Sequence, residues 1–128
     1  MSNNFKMSVL ASSSKGNSIY VESDKKKILI DAGLSGKKIV DQLAAIHVDP
    51  KDLDAIFVTH EHQDHVRGVG VLARKYELDV YANTHTWQAM LPMIGKVNQK
   101  QCYTLECGVE LDFGDMIIKS FPVSHDAA

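Results

Sequence analysis

Cysteine is scarce in this chain. Cys102 and Cys107 are the only two in 128 residues, and four residues of separation with no further thiols nearby exclude a disulfide framework and a zinc ribbon. They read as free structural thiols in a reducing cytosol. Long apolar runs are also missing. The segment from Met7 to Ala11 is too short for a signal-peptide core, and no stretch approaches the roughly 20 apolar residues of a membrane span. The expected compartment is therefore the cytoplasm, with no membrane partner. Positive charge is not in excess either: the net charge is −2, so no global basic field gathers nucleic acid, and phosphate must be met by local groups or by metal. Lys25–Lys27 and the pair Lys37-Lys38 read as solvated turn and helix charges. A phosphate-cradling P-loop is excluded because the G-x-x-x-x-G-K frame does not occur.

What remains is a globular composition, 45% hydrophobic and 23% charged, of a size that suits one domain spanning residues 1–128. Short β-rich runs open the chain: Lys6 to Ala11, Ser18 to Glu22, and Lys27 to Asp31, the first two joined by the polar turn Ser12 to Asn17. From Ser35, a plausible N-cap, the period lengthens, with Ile39, Leu43 and Ile46 marking an amphipathic helix. Ala55 to Val58 is a short apolar strand. Val66, Val69, Leu72, Ala73 and Tyr76 predict a second helix loosened by Gly68 and Gly70. Leu78 to Ala82 is a strand, and Thr84 is expected to cap a third helix carrying Met90, Leu91 and Ile94 up to Gly95. Gln101 to Leu105, Val109 to Phe113 and Met116 to Phe121 predict strands joined by tight turns at Cys107-Gly108 and Gly114-Asp115. Strands early and late with helices between them predict a mixed sheet covered by helices, in the α/β or α+β class.

The chemistry is concentrated directly after the strand at Ala55. His60-Glu61-His62-Gln63-Asp64-His65 places three imidazoles and two carboxylates in six residues. His60 and His62 are two apart and share a side in an extended segment; Asp64 continues the alternation and His65 breaks it. A turn there aims the two histidines at one metal and the Asp64/His65 pair at another. Imidazole and carboxylate suit Zn²⁺, Mn²⁺ or Fe²⁺, and no thiolate is offered. Two cations about 3.5–4 Å apart clamp an attacking and a leaving oxygen and lower the pKa of bound water to about 7. The rival, a solvent-exposed His-rich turn, fits poorly with so many ligands straight after an apolar strand.

His-x-His-x-Asp-His after a short hydrophobic strand resembles the metallo-β-lactamase superfamily. Ile28 to Gly33 (ILIDAG) is similar to its first motif, and the agreement extends through VLASSSKGNSIYVES, LIDAGLSGKKI, VTHEHQDHVRGVGVLARKY and SHDAA, so that it covers nearly the whole chain. The resemblance implies an αββα sandwich of which these residues form the N-terminal half. It implies two divalent metal ions, zinc or manganese. His60, His62 and His125 would ligate the first, and Asp64 and His65 the second, with Asp64 as the catalytic carboxylate among them. Asp31 would orient ligands. Alone, His125 reads as a surface or core residue; its place in Phe121-Pro122-Val123-Ser124-His125 is where the superfamily has its third motif. Ser14 and Asn17 lie in a segment read equally well as a plain hairpin turn or as a donor of hydrogen bonds to substrate. A later bridging Asp and a further His, usual in the superfamily, are not among the 128 residues. The second site is therefore expected to be incomplete, and the chain is expected to self-associate or to pair with a missing C-terminal half.

The activity implied is hydrolysis of DNA phosphodiesters by an exonuclease, with water activated at the metal as nucleophile. Hydrolysis of a thioester or lactam on the same fold is the alternative, as is a non-catalytic metal-binding fragment. His85, at a helix start, and His47, at a helix end, read as structural or surface residues. Glu61 and Gln63 point away from the ligand side, Glu61 being able to orient an imidazole. Trp87, Met90 and Leu91 read as core.

Overall fold

The computed structural model describes residues 5–121. Eight strands and four helices follow in the order β1 (Lys6–Ser13), β2 (Gly16–Glu22), β3 (Lys27–Ile30), α1 (Gly36–Ala45), β4 (Ala55–Phe57), α2 (Gln63–Val66), α3 (Val69–Tyr76), β5 (Asp79–Ala82), α4 (Thr84–Ile94), β6 (Cys102–Thr104), β7 (Glu110–Phe113) and β8 (Met116–Lys119). The first six strands form one sheet in sequence order, and β7 and β8 form a separate pair. Pairing is antiparallel from β1 to β3 and parallel from β3 to β6. This is the mixed sheet expected from the sequence.

Strand alternation sends each residue type to its own layer. Leu29, Ile56 and Val80 stand side by side on one face. There they meet Ile39 and Leu43 of α1, Leu72 of α3, and Trp87, Met90 and Ile94 of α4. Their neighbours Ile28, Ala55 and Phe57 point to the opposite face and pack with Leu105 and Met116, under the β7–β8 hairpin. The result is three layers: helices, the six-stranded sheet, and a hairpin lying over part of the far face. Ser23 Oγ donates to Asp115 Oδ1 at 2.5 Å and Lys25 N donates to Oδ2 at 3.2 Å. The Gly114-Asp115 turn is thus tied to the β2–β3 turn, and Ser23 holds the Asp115 carboxyl below the usual carboxylate range.

Five local expectations are corrected. The second helix is two helices. Gly68 N donates to Ala32 O at 2.7 Å, and a Cβ on Gly68 would stand 2.5 Å from Leu34 O, so the chain breaks its helical run there to pack against that loop. Asn83 rather than Thr84 caps α4, its side chain accepting from Thr86 N at 2.7 Å. Leu91 is 49% exposed, whereas Trp87 and Met90 are buried. The buried stripe runs through Trp87, Met90 and Ile94, and Leu91 falls beside it. Finally, β6 does not pair with β7; it closes the edge of the large sheet on β5, and Phe121 lies beyond the end of β8.

These placements predict unequal costs of truncation. Ile56→Ala, at a site with no exposed surface, is expected to lose about 2–5 kcal/mol of stability. Leu91→Ala is expected to stay within about 0.5 kcal/mol of the parent. Urea unfolding measures both, and a large loss for Leu91→Ala would contradict the orientation of α4.

Candidate metal centre

The site lies where parallel strands end. Asp31 follows β3, Thr59 and His60 follow β4, and Asn83 and His85 follow β5, so three neighbouring strands deliver side chains to one rim. Asp31 is 5% exposed and its backbone has a φ of 64°. That left-handed conformation costs a non-glycine residue about 1–3 kcal/mol. Fixed partners hold it there: Asp31 N donates to Phe57 O, Ala32 N to His65 O and Gly33 N to Asn17 O, all at 2.8–2.9 Å. Ser18 Oγ donates to Asp31 O at 2.8 Å.

Both carboxylate oxygens of Asp31 are engaged. Oδ1 accepts from Thr59 N at 2.7 Å, and Oδ2 accepts from Thr59 Oγ1 at 2.6 Å and faces His65 Nδ1 at 2.8 Å. His60 Nδ1 stands 2.8 Å from Thr59 Oγ1. The rings of His60 and His65 are 4.7 Å apart and those of His60 and His62 are 6.2 Å apart. Ligand atoms from Asp31, His60 and His65 lie within 4.8 Å of one another. Both Asp31 oxygens thus have protein partners, one of them the ring of His65.

The segment does not stay extended through Asp64. His62 is the N-cap of α2, and Gln63 begins the helix. Asp64 and His65 therefore ride on a helical turn, which swings His65 toward His60. Asp64 is clamped on its other side: Asn17 Nδ2 donates to Asp64 Oδ2 at 3.0 Å, and that oxygen is 3.5 Å from His65 Nε2. Asn17 thus touches Asp64 directly, whereas Ser14 is exposed in the β1–β2 turn. His125 lies outside the described residues. Glu61 faces His85, with Oε1 and Nε2 3.5 Å apart. A backbone N–H at Glu61, more than the attraction of His85 and His62, holds its carboxyl below the usual range. Thr59 gives no signal in the sequence beyond its position before His60, although it touches both Asp31 and His60. His47 is remote from this rim, at the end of α1, with a φ of 62°.

His60, His62, Asp31 and Glu61 open onto a cleft of about 900 Å³ between the two sheets. Its other wall is apolar, with Ile30, Phe57, Tyr81 and Ile118 prominent. Phe57 stacks on Tyr81 at 4.6 Å and Tyr81 on Tyr103 at 4.8 Å. Among the described residues lining the cleft, Lys119 is the one lysine or arginine.

Imidazole nitrogens on one side of a buried, saturated carboxylate, with a second carboxylate beside them, suit a divalent metal. The sequence profile of the metallo-β-lactamase superfamily matches residues 14–115, and the chain belongs to that superfamily. Within it, the chain is 60% identical over 125 residues to exodeoxyribonuclease WalJ of Streptococcus pneumoniae serotype 2 (strain D39 / NCTC 7466), covering 96% of this chain and 46% of that protein. It is 51% identical over 121 residues to exodeoxyribonuclease YycJ of Bacillus anthracis, covering 94% of this chain and 46% of that one. The chain therefore spans about half the length of these relatives. A B3 metallo-β-lactamase with an active-site glutamic acid superposes with a TM-score of 0.76 at 19% identity, over 90% of this chain and 48% of the other. That likeness supports the fold alone.

Gly33 makes the centre sensitive to a single methyl group. A Cβ there would stand 1.7 Å from Asp64 O and 2.7 Å from Asn17 N, both backbone atoms. Gly33→Ala is expected to push the first turn of α2 away and weaken metal binding, while Leu91→Ala, at an exposed position of α4, leaves it intact. Isothermal titration with Zn²⁺ compares them; equal affinities would show that the close approach does not set the ligand geometry.

Proposed function

We propose that this chain forms the metal-binding part of an exonuclease that hydrolyses phosphodiester bonds of DNA, working in the cytoplasm with Zn²⁺ or Mn²⁺. The observation that carries this reading is the convergence of His60 and His65 on Asp31, in a chain 60% identical to an exodeoxyribonuclease. In this reading His60, His62 and His125 hold one ion, and Asp64 and His65 hold the second. When bound, divalent ions supply charge neutralisation at phosphate and a lowered pKa for water. The protein's own part is preorganisation. Asp31 fixes His65 through Nδ1, and Asn17 fixes Asp64 through Oδ2. With Lys119 as the one lysine or arginine among the described cleft-lining residues, the phosphate of a substrate is matched by metal rather than by a basic groove.

The test uses a chain extended to the length of its relatives. Its DNase activity should vanish on chelation and return with Mn²⁺ or Zn²⁺. Elemental analysis should show loss of metal in His60→Ala and His62→Ala, and a metal titration should show the second position weakened more than the first in Asp64→Asn. Turnover surviving exhaustive chelation, or unchanged metal content in both histidine variants, would overturn the assignment.

We also propose that the 128 residues form a single, incomplete domain whose apolar cleft face is closed by further chain or by a second copy. On β1, Met7 and Val9 are 69% and 61% exposed, and Phe121 on the cleft rim is similarly bare. Apolar exposure on that scale favours association. Light scattering of the isolated chain at micromolar concentration should report species larger than a monomer; a stable monomer would remove the need for a covering partner.

A further inference from the structure

We propose that Thr59 is a positioning residue that fixes the tautomer of His60, so that Nε2 rather than Nδ1 is presented to the metal. The inference rests on the metal-centre reading above and adds to it a residue outside the ligand set. It starts from a proton count. Thr59 has one hydroxyl proton and sits between two partners, Asp31 Oδ2 at 2.6 Å and His60 Nδ1 at 2.8 Å. A carboxylate oxygen only accepts, so the hydroxyl proton goes to Asp31. The Thr59 oxygen is left as an acceptor toward His60, and His60 must donate through Nδ1–H. The reverse arrangement, with the hydroxyl donating to His60, would set two oxygen lone pairs against each other at 2.6 Å.

The geometry around Thr59 makes this assignment rigid. Its backbone N–H and its hydroxyl both grip Asp31, one on each carboxylate oxygen. Its β-branched side chain has few rotamers to exchange. Asp31 is itself 5% exposed and held by the carbonyl of Phe57 on β4 and by Ser18. The same Oδ2 that takes the Thr59 proton also faces His65 Nδ1 at 2.8 Å. One carboxylate oxygen therefore sets two imidazoles, His65 directly and His60 through the threonine. In both rings Nδ1 is turned to the protein, which leaves Nε2 of each on the side away from Asp31. A relayed hydrogen bond also raises the basicity of the ligating nitrogen.

The test separates the hydroxyl from the shape of the side chain. Thr59→Val keeps the branched outline and removes the hydroxyl, and Thr59→Ser keeps the hydroxyl. In ¹⁵N-labelled, metal-free protein at a pH where the ring is neutral, two-bond ¹H–¹⁵N correlations should show His60 protonated on Nδ1 in the parent and in Thr59→Ser. In Thr59→Val the proton should move to Nε2, with Zn²⁺ affinity falling about 10–100-fold and recovering in Thr59→Ser. A parent His60 protonated on Nε2 would overturn the proposal, and does so even if Thr59→Val fails to fold. Unchanged Zn²⁺ affinity in a folded Thr59→Val would overturn it as well. Absence of Zn²⁺ binding by the parent would instead sink the metal-centre reading, and Thr59 would then be judged on the tautomer alone.

Discussion

The carboxylate of Asp31 is the constraint on which the centre depends. It is buried, and a buried carboxylate is tolerated only when its oxygens are satisfied. The donors that satisfy it are the Thr59 N–H and hydroxyl and the ring nitrogen of His65. The need to solvate one charge thus fixes the direction of groups coming from the end of β4 and from α2. The left-handed backbone of Asp31 is the conformational cost of aiming the carboxylate into that position. The adjacent backbone N–H groups of residues 31, 32 and 33 offset it by bonding to three separate segments. Strain is stored where the surroundings determine the conformation several times over.

The parallel half of the sheet places those segments together. β3, β4 and β5 run the same way, so the loops after them share one edge. The antiparallel hairpin of β1 and β2 brings Asn17 to the same edge from the opposite direction. Gly33 then lets the loop after β3 press against the backbone of Asp64, closer than any side chain would permit. The helix-side core, with Leu29, Ile56, Val80, Leu43 and Met90 all fully buried, makes this edge a stiff platform. Ligand side chains mounted on such a platform need little reorganisation to bind an ion.

Much of this was legible in the sequence because its signals were periodic or chemical. Ser35, Ile39 and Leu43 announced α1 through cap and spacing, and ILID and AIF announced buried strands through apolar runs. The donor types of His60 to His65 pointed to metal before any geometry was known. Their directions were another matter. Alternation was extrapolated through Asp64, but His62 ends the extended run by capping α2, and a helical turn brings His65, not His62, nearest to His60. Pairing across the sheet was equally invisible: the turn at Cys107-Gly108 looks like a hairpin turn, yet β6 joins β5 through a long-range parallel contact and β7 starts another sheet. Leu91 reads as core in the sequence because α4 is apolar on more than one side, and only packing chooses the buried stripe. Thr59 could not be singled out, since its importance lies in a proton shared between partners 28 residues apart.

The two faces of the sheet carry different burdens. The helix face is saturated with apolar contacts. The cleft face is apolar in its middle, through Phe57 and Tyr81, and polar only at the rim where His60, Glu61 and His85 stand. A nucleic-acid surface that works by electrostatics spreads lysine and arginine along the path of the backbone. Here Lys119 is the one such residue among those described around the cleft, and the chain as a whole carries a charge of −2. In the proposed function, attraction for phosphate would come from cations held by the imidazoles and Asp64 rather than from lysine and arginine. The Asp31–Thr59–His60 and Asp31–His65 hydrogen bonds lie at the rim where, in the proposed function, bound cations would supply charge complementarity to phosphate.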